Sequence, residues 1–258
     1  MLITNCRLCN IQVADKKNSH IVSKFLGKEL FISEIGNHAE QIYKNGKSRK
    51  VYSIPKEDSI LCTTCEKRFE ILETYFARFF NKLRNHQNFP EDFLLQKLGV
   101  QDFISCKKLN PTLFKLFIYS LIWRLSISKH QTNENFKLPN KIEEELRKFL
   151  NQNLSTEQKI LLESVEMINE FPSYDLCMIK PENKTDNFKG MYSAFQMSKS
   201  AYLLVLVDFI LFFYIDSSID IVLKKFSNGQ NKNVIIPISD DDRWFDLNKL
   251  IVSKMLNN

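Results

Sequence analysis

Two stretches, CRLCN at residues 6–10 and LCTTCEKRFE at residues 61–70, set the architecture of this chain, because each holds two cysteines separated by two residues. That spacing allows both thiolates of a pair to reach one ion, and four thiolates in tetrahedral geometry are typical of a structural zinc site. Two separate redox motifs, or unconnected cysteines, are the alternatives, but a redox CxxC usually lies near a βαβ pattern, which neither pair has. We therefore predict one zinc site with four ligands: Cys6, Cys9, Cys62 and Cys65.

The other two cysteines, Cys106 and Cys177, lie in apolar contexts and are predicted to be core thiols. The N-terminus lacks a basic segment followed by an apolar one, so we predict no secretory signal and a cytoplasmic protein. In that reducing compartment, paired cysteines favour metal binding over disulfides. The most apolar stretch, residues 201–215, contains Asp208 and is shorter than the roughly 20 residues of a transmembrane helix, so we expect no membrane association.

The composition excludes several classes of protein. The 258 residues are 44% hydrophobic and 26% charged, with 21 phenylalanines but only 6 glycines. Such a chain has enough apolar side chains for a core, which excludes a predominantly disordered or a collagen-like protein. The formal net charge of +6 permits a polyanionic partner without requiring one.

The segment around the cysteines has a recognisable layout. Apolar side chains recur every three or four residues from Glu66 to His86, which predicts an amphipathic helix directly after the second pair. A tight cysteine turn, an intervening hairpin and a helix that starts at the second pair form the layout of a treble-clef zinc finger. We therefore predict an α+β protein with a small zinc-bound treble-clef (ββα-metal-like) module at residues 1–87.

The remaining residues, 88–258, are predicted to form a larger α+β body. The pattern is mainly helical to about residue 171 and includes a short helix from Glu91 to Leu98. Residues 174–238 are rich in Val, Ile, Phe and Tyr and predict strands. The pattern of residues 241–256 predicts a terminal amphipathic helix after the strand-rich region.

Two details of the strand-rich region give sharper expectations. Residues 201–215 are too long for an average strand, which predicts a bend or two strands. The short run VIIPI at residues 234–238 predicts a strand, and Pro237 within it is typical of a sheet edge.

Residues 19–21, between the cysteine pairs, read Ser-His-Ile, and Glu66 follows the last cysteine. With the two CxxC pairs, these residues resemble the HNH (His-Me finger) endonuclease family with a zinc-bound treble clef. They are most similar to bacterial HNH-like proteins in which Ser-His-Ile replaces Asp-His-Ile. The resemblance covers residues 1 to about 75 and implies cleavage of phosphodiester bonds in nucleic acid, DNA rather than RNA. Such modules often serve in mobile elements or anti-phage defence.

The resemblance also implies roles for individual residues. In this family a histidine activates water as general base, and a divalent ion, usually Mg²⁺, stabilises the charge that develops on the phosphate. Carried onto this sequence, the resemblance assigns His20 as the base and Glu66 as a ligand of the catalytic ion. Glu57 or Asp58 lies about where the middle asparagine of the family stands and is the expected neighbouring ligand.

Basic residues near this motif are the candidate contacts to the nucleic-acid backbone, since Lys and Arg neutralise phosphates. The run at residues 44–50 is also consistent with an ordinary solvated loop. The candidate phosphate contacts are Lys24, Lys44, Lys47, Arg49 and Lys50.

Three departures from the family pattern keep a second function open. Ser19 replaces the aspartate that commonly helps to bind the catalytic ion, Ser23 replaces the usual proline, and no asparagine precedes Leu61 at the family's spacing. In addition, an acid such as Glu66 in the first turn of a helix is favoured by the helix dipole alone. The alternative is a non-catalytic zinc-finger protein that binds nucleic acid, or a protein partner through its C-terminal body.

Overall fold

The structure, a computed structural model, combines helices and strands in its described residues, which confirms the predicted α+β class. Lys44 lies outside the residues that the structure describes. The described residues are 4–31, 37–42, 47–182, 190–229 and 233–257.

Short elements build the segment between the cysteine pairs. Strand β1 (Ser19–His20) pairs antiparallel with β4 (Lys56–Glu57), and β2 (Ala39–Ile42) pairs antiparallel with β3 (Ser48–Val51). Helix α1 (Lys24–Gly27) follows β1 closely. The chain therefore leaves β1, passes through a β2–β3 ladder and returns as β4 before the second cysteine pair.

The longer helices begin where the sequence supplies caps. Asn110 accepts hydrogen bonds from the backbone N–H groups of Thr112 and Leu113, as a side-chain N-cap should. Asp240 accepts one from Arg243 and starts the terminal helix in the same way. The helices after α1 in the described ranges are α2 (Thr63–Arg84), α3 (Pro111–Ile127), α4 (Asn140–Asn153), α5 (Gln158–Glu166), α6 (Ile221–Lys224) and α7 (Asp241–Asn257).

A large mixed sheet forms the body, with seven strands in the described part of the chain. Its order is β5-β6-β11-β7-β10-β9-β8, and every neighbouring pair is antiparallel except β11 and β7. The strands are β5 (Phe93–Leu98), β6 (Gln101–Cys106), β7 (Asp175–Pro181), β8 (Tyr192–Gln196), β9 (Ala201–Leu206), β10 (Phe209–Tyr214) and β11 (Val234–Ser239).

The helix predicted from Glu91 to Leu98 is wrong, because residues 93–98 form β5. A two-residue loop joins β5 to β6, and Gly99 in that loop has a φ of 63°, a conformation open to glycine. Gly99 thus turns a hairpin rather than ending a helix. Pairing with β6 overrides the local helical pattern of the segment.

The expectation of two strands in residues 201–215 is confirmed by β9 and β10. Val207 turns the chain with a φ of 56°, and the following Asp208 accepts a hydrogen bond from Arg84 at 2.6 Å. Both strands are buried along their whole length. Helices α2–α5 cover one face of the sheet and α7 covers the other, so β9 and β10 carry apolar side chains on both faces.

The expectation that Pro237 marks a sheet edge is wrong, because β11 lies between β6 and β7. Residues 234–237 pair with β6, whereas pairing with β7 begins only at Ile238. Pro237 therefore sits before the ladder to β7 starts, where its missing N–H leaves that ladder intact.

One continuous core joins the cysteine segment to the sheet. The ring of Phe76 in α2 stacks on Phe117 in α3 with centroids 4.2 Å apart, and Phe80 meets Phe209 of β10 edge to face at 4.9 Å. Helix α2 thus begins at the cysteines and ends against the sheet. It fixes the position of the Ser-His-Ile motif relative to the body.

Candidate functional site

The four cysteines of the two CxxC pairs come together, as predicted. Their sulfur atoms all lie within 4.8 Å of one another, and no other group of three or more His, Cys, Asp or Glu ligands is this close among the described residues. Cys9 is partly buried and the other three are buried. Four converging thiolates fit Zn²⁺, and a site closed to solvent in this way is typical of structural zinc.

The local backbone conformation directs the thiols of both CxxC pairs toward one common point. Around the first pair, the N–H of Cys6 donates to the carbonyl oxygen of Gln12 at 2.7 Å, and the N–H of Asn10 donates to the carbonyl oxygen of Cys6 at 2.8 Å. Asn10 has a φ of 59°, which makes this turn tight. At the second pair, Cys62 is the N-cap of α2, and its Sγ accepts a hydrogen bond from the N–H of Cys65 at 3.4 Å. A tight turn and a helix N-terminus therefore supply two ligands each.

Hydrogen bonds within the cluster favour a thiolate at Cys6. The side chain of Cys65 is the main cause that lowers the pKa of Cys6 to about 4, and the backbones of Cys9, Cys62 and Leu8 lower it further, whereas burial opposes this shift. The hydrogen bond to Cys6 raises the pKa of Cys65 in turn, and burial raises the pKa of Cys62. Metal ligation requires deprotonated cysteine, and Cys6 is the group that its neighbours hold in that form.

His20 lies half-buried on β1, directly opposite Lys56 of β4. Burial is the largest cause that lowers its pKa below the ordinary value, and the positive charge of Lys56 lowers it further. Glu73 acts in the opposite direction. The balance keeps the imidazole neutral at neutral pH, which is the form a general base requires.

Arg124 from α3 holds the Ser-His-Ile segment in place. Its guanidinium is 2% exposed and forms an ion pair with Glu73 of α2 at 2.6 Å. It also donates to the carbonyl oxygen of His20 at 3.0 Å and to the Oγ of Ser23 at 3.4 Å, and it lies 4.9 Å from the ring centre of Phe69. The buried charge of Arg124 in the otherwise apolar α3 is therefore paired with Glu73 of α2 and hydrogen-bonded to the segment at residues 20–23.

Glu66, the residue after the last cysteine, is partly buried in the first turn of α2. Burial raises its pKa, whereas Arg124 and the nearby Ser19 hydroxyl lower it. Ser19 is fully buried, and its hydroxyl lies beside the carboxylate of Glu66, whose charged form it favours.

Glu57 and Asp58 do not join His20 and Glu66 in a three-ligand group within the described ranges. Glu57 Oε2 instead accepts hydrogen bonds from Ser128 Oγ at 3.0 Å and from the N–H of Lys129 at 2.9 Å. Asp58 accepts one from the N–H of Asn18 at 2.7 Å. Both carboxylates hold backbone segments, so the expectation that they bind the catalytic ion finds no geometric support.

The basic residues named from the sequence lie on exposed surface where they are described. Lys24 is in α1, four residues after His20, and its charge lowers the pKa of His20. Lys47 precedes β3, and Arg49 and Lys50 are in that strand, where Arg49 donates to Gln41 at 3.0 Å.

Glu73, which no sequence pattern singles out, pairs with Arg124 and raises the pKa of His20. Glu66 and Glu73 lie seven residues apart on α2, a spacing that places them on one face of a helix. The buried Arg124, which stands out in an apolar helix, was the available signal that an acid must lie nearby. Its partner is 51 positions away in the sequence, so the spacing alone names no candidate.

In the described residues, no helix combines the length and the apolar character that crossing a bilayer requires. Comparison of the chain with protein-family models, with curated proteins and with solved structures found no match.

Proposed function

We propose that this chain is an HNH-type endonuclease that cleaves phosphodiester bonds in nucleic acid, DNA in preference to RNA. The observation that carries the proposal is one buried cation shared by three residues. Arg124 pairs with Glu73, holds the carbonyl of His20, and lowers the pKa of both Glu66 and His20. A candidate base and two carboxylates therefore lie in one electrostatic environment.

The path of the chain supports a treble-clef module around this site. The turn at Cys6 and Cys9, the β1–β4 ladder and helix α2 follow one another in the order that such a module requires. His20 is on the ladder, and Glu66 is in the first turn of the helix. In this arrangement the zinc is structural, because all four of its ligands come from the chain.

The proposed chemistry begins with water. A neutral His20 accepts a proton from a water molecule as the water oxygen attacks the phosphorus. The P–O bond to the leaving nucleotide breaks, and the departing oxygen takes a proton from solvent. The lowered pKa of His20 keeps this base available at neutral pH. Cations such as Lys24 neutralise the phosphates next to the scissile bond and hold the backbone in position.

The residues near His20 also fit a divalent ion. The carboxylate of Glu66 and the adjacent hydroxyl of Ser19 are oxygen ligands of the kind that Mg²⁺ prefers, and Ser19 stands where the family has its aspartate. A bound Mg²⁺ supplies positive charge for the oxygen atoms of the transition state. Glu57 and Asp58 are not part of this proposal.

Cleavage of supercoiled plasmid with Mg²⁺ tests the proposal. We expect His20→Ala to lower the cleavage rate by about 10²–10⁴-fold, the usual contribution of a general base. Glu66→Gln should also be strongly impaired, whereas Glu163→Gln, which changes an exposed acid of α5, serves as the matched control and should cut at the parent rate. A His20→Ala protein that cuts as fast as the parent contradicts the proposal.

The pH dependence of cleavage gives a second test. Because burial and Lys56 lower the pKa of His20, the base stays neutral below the ordinary histidine pKa of 6.5. We expect the acidic limb of the kcat profile below that pH. Removal of the Lys56 charge raises the pKa of His20, so Lys56→Gln should move the limb to higher pH. An unchanged limb in this variant would exclude His20 as the titrating base.

A second candidate function is a non-catalytic zinc protein that binds nucleic acid or a protein partner. The engagement of Glu57 and Asp58 with backbone groups favours it. The edge strand β5 also presents exposed apolar side chains, Leu95 and the adjacent Val100, on the C-terminal body. Binding that survives His20→Ala, in a protein that cuts neither DNA nor RNA, would select this function.

A further inference from the structure

A half-open cleft of about 1530 Å³ lies beside the Ser-His-Ile segment. Its walls are the β2–β3 ladder, the residues around β4, the segment after α3 and strand β8. Pockets for small molecules are usually about 300–1,000 Å³. This cleft is larger, which favours a segment of a polymer as its occupant.

The cleft combines cations with an exposed aromatic pair. Arg49, Lys56 and Lys137 contribute positive charge, and the acids Glu40 and Glu134 offset two of these three charges. Tyr52 is 71% exposed, and its ring centre lies 6.2 Å from that of His38 at an angle of 51°. Modest positive charge beside an accessible ring is suited to a ligand that carries both phosphates and flat bases.

The position of His20 connects this cleft to the proposed chemistry. His20 and Lys56 are directly opposite on β1 and β4, so their side chains project to the same face of that ladder. Lys56 lines the cleft, and so does Asn18, which precedes the Ser-His-Ile motif. A strand bound along the cleft would therefore pass the candidate base.

We propose that the cleft binds a single strand of nucleic acid, with one base stacked on Tyr52 and phosphates on Arg49 and Lys56. The inference rests on the proposed function, since it names the form of that substrate. In a duplex the base faces are stacked inside the helix and cannot reach Tyr52, whereas a single strand offers them. The cleft thus selects unpaired or opened nucleic acid over intact duplex.

Fluorescence anisotropy with a labelled oligonucleotide, measured without divalent ions, tests this proposal. We expect tighter binding of the single strand than of its duplex. Tyr52→Ala should weaken single-strand binding by about 5–150-fold, the value of one stacked base. Two phosphate contacts predict a slope of log K against log salt of about −1.4, and Lys56→Gln should reduce its magnitude by about 0.7.

Two exposed residues outside the cleft supply matched controls. Phe245→Ala and Lys159→Gln should bind as the parent does, and thermal melts of all variants check that they fold. The inference is overturned if the parent binds no single strand, if Tyr52→Ala binds as tightly as the parent, or if a poly-glutamate peptide competes equally well. His20→Ala should bind normally. A parent protein that cleaves no nucleic acid but retains cleft-dependent binding therefore counts against the nuclease proposal alone.

Discussion

Replacement of Cys65 by serine is expected to abolish zinc binding and to destabilise the chain more than any other single change. Cys65 is 2% exposed, and its N–H donates a hydrogen bond to the Sγ of Cys62. Structural zinc sites contribute on the order of 10 kcal/mol to folding of the segments that they join. We expect zinc content, measured by mass spectrometry, to fall from about one ion per chain to nearly none, with a large decrease in Tm.

A buried cysteine outside the cluster supplies the control for this prediction. Cys177→Ala also removes a fully buried thiol, but from strand β7. It should retain one zinc ion per chain and lose only the stability of a small core truncation. Zinc retained at parental levels in Cys65→Ser would show that the four sulfur atoms do not form the site.

Replacement of Arg124 by alanine is expected to lower the free energy of unfolding by about 3–5 kcal/mol, the usual cost of removing one partner from a buried ion pair. The variant leaves Glu73 facing a cavity without its counter-charge and leaves the carbonyl of His20 without a donor. Chemical denaturation of the zinc-loaded protein measures the effect. Lys159→Ala, which breaks an exposed pair on α5, should cost less than 1 kcal/mol.

The double variant Arg124→Met with Glu73→Leu separates pairing from packing. Apolar replacement of both partners is often neutral, so the double variant should be more stable than Arg124→Met alone. Because Arg124 also holds the His20 strand, cleavage should remain impaired even when this stability returns. Equal stability of the single and double variants would mean that the ion pair contributes little.

The features that local sequence predicts well are those set by nearby residues. The CxxC spacing identified the two ligands in each pair, although 52 residues separate the pairs. Within each pair the residues that decide the structure lie within a few positions of one another. The apolar run at residues 201–215 is similar, because its length predicted a bend or two strands, and it forms β9 and β10.

The features that sequence did not predict depend on distant partners. Residues 93–98 take a strand because β6 is available to pair with them, and β11 enters the sheet between β6 and β7 from more than 50 positions further along the chain. The same holds at the site, where Glu73 and Arg124 meet only after α2 packs on α3. Chain proximity gives no information about such contacts.

The aromatic seam between α2 and the body limits how this protein can be rearranged. Phe76 stacks on Phe117, and Phe80 packs against Phe209. Truncation of the chain near residue 87 would remove both of these partners. A fragment of residues 1–87 would present these rings to water, and a partner acquired by gene fusion would have to cover them. The cysteine segment is therefore not an independent domain, and recombination can transfer it only together with the sheet that covers it.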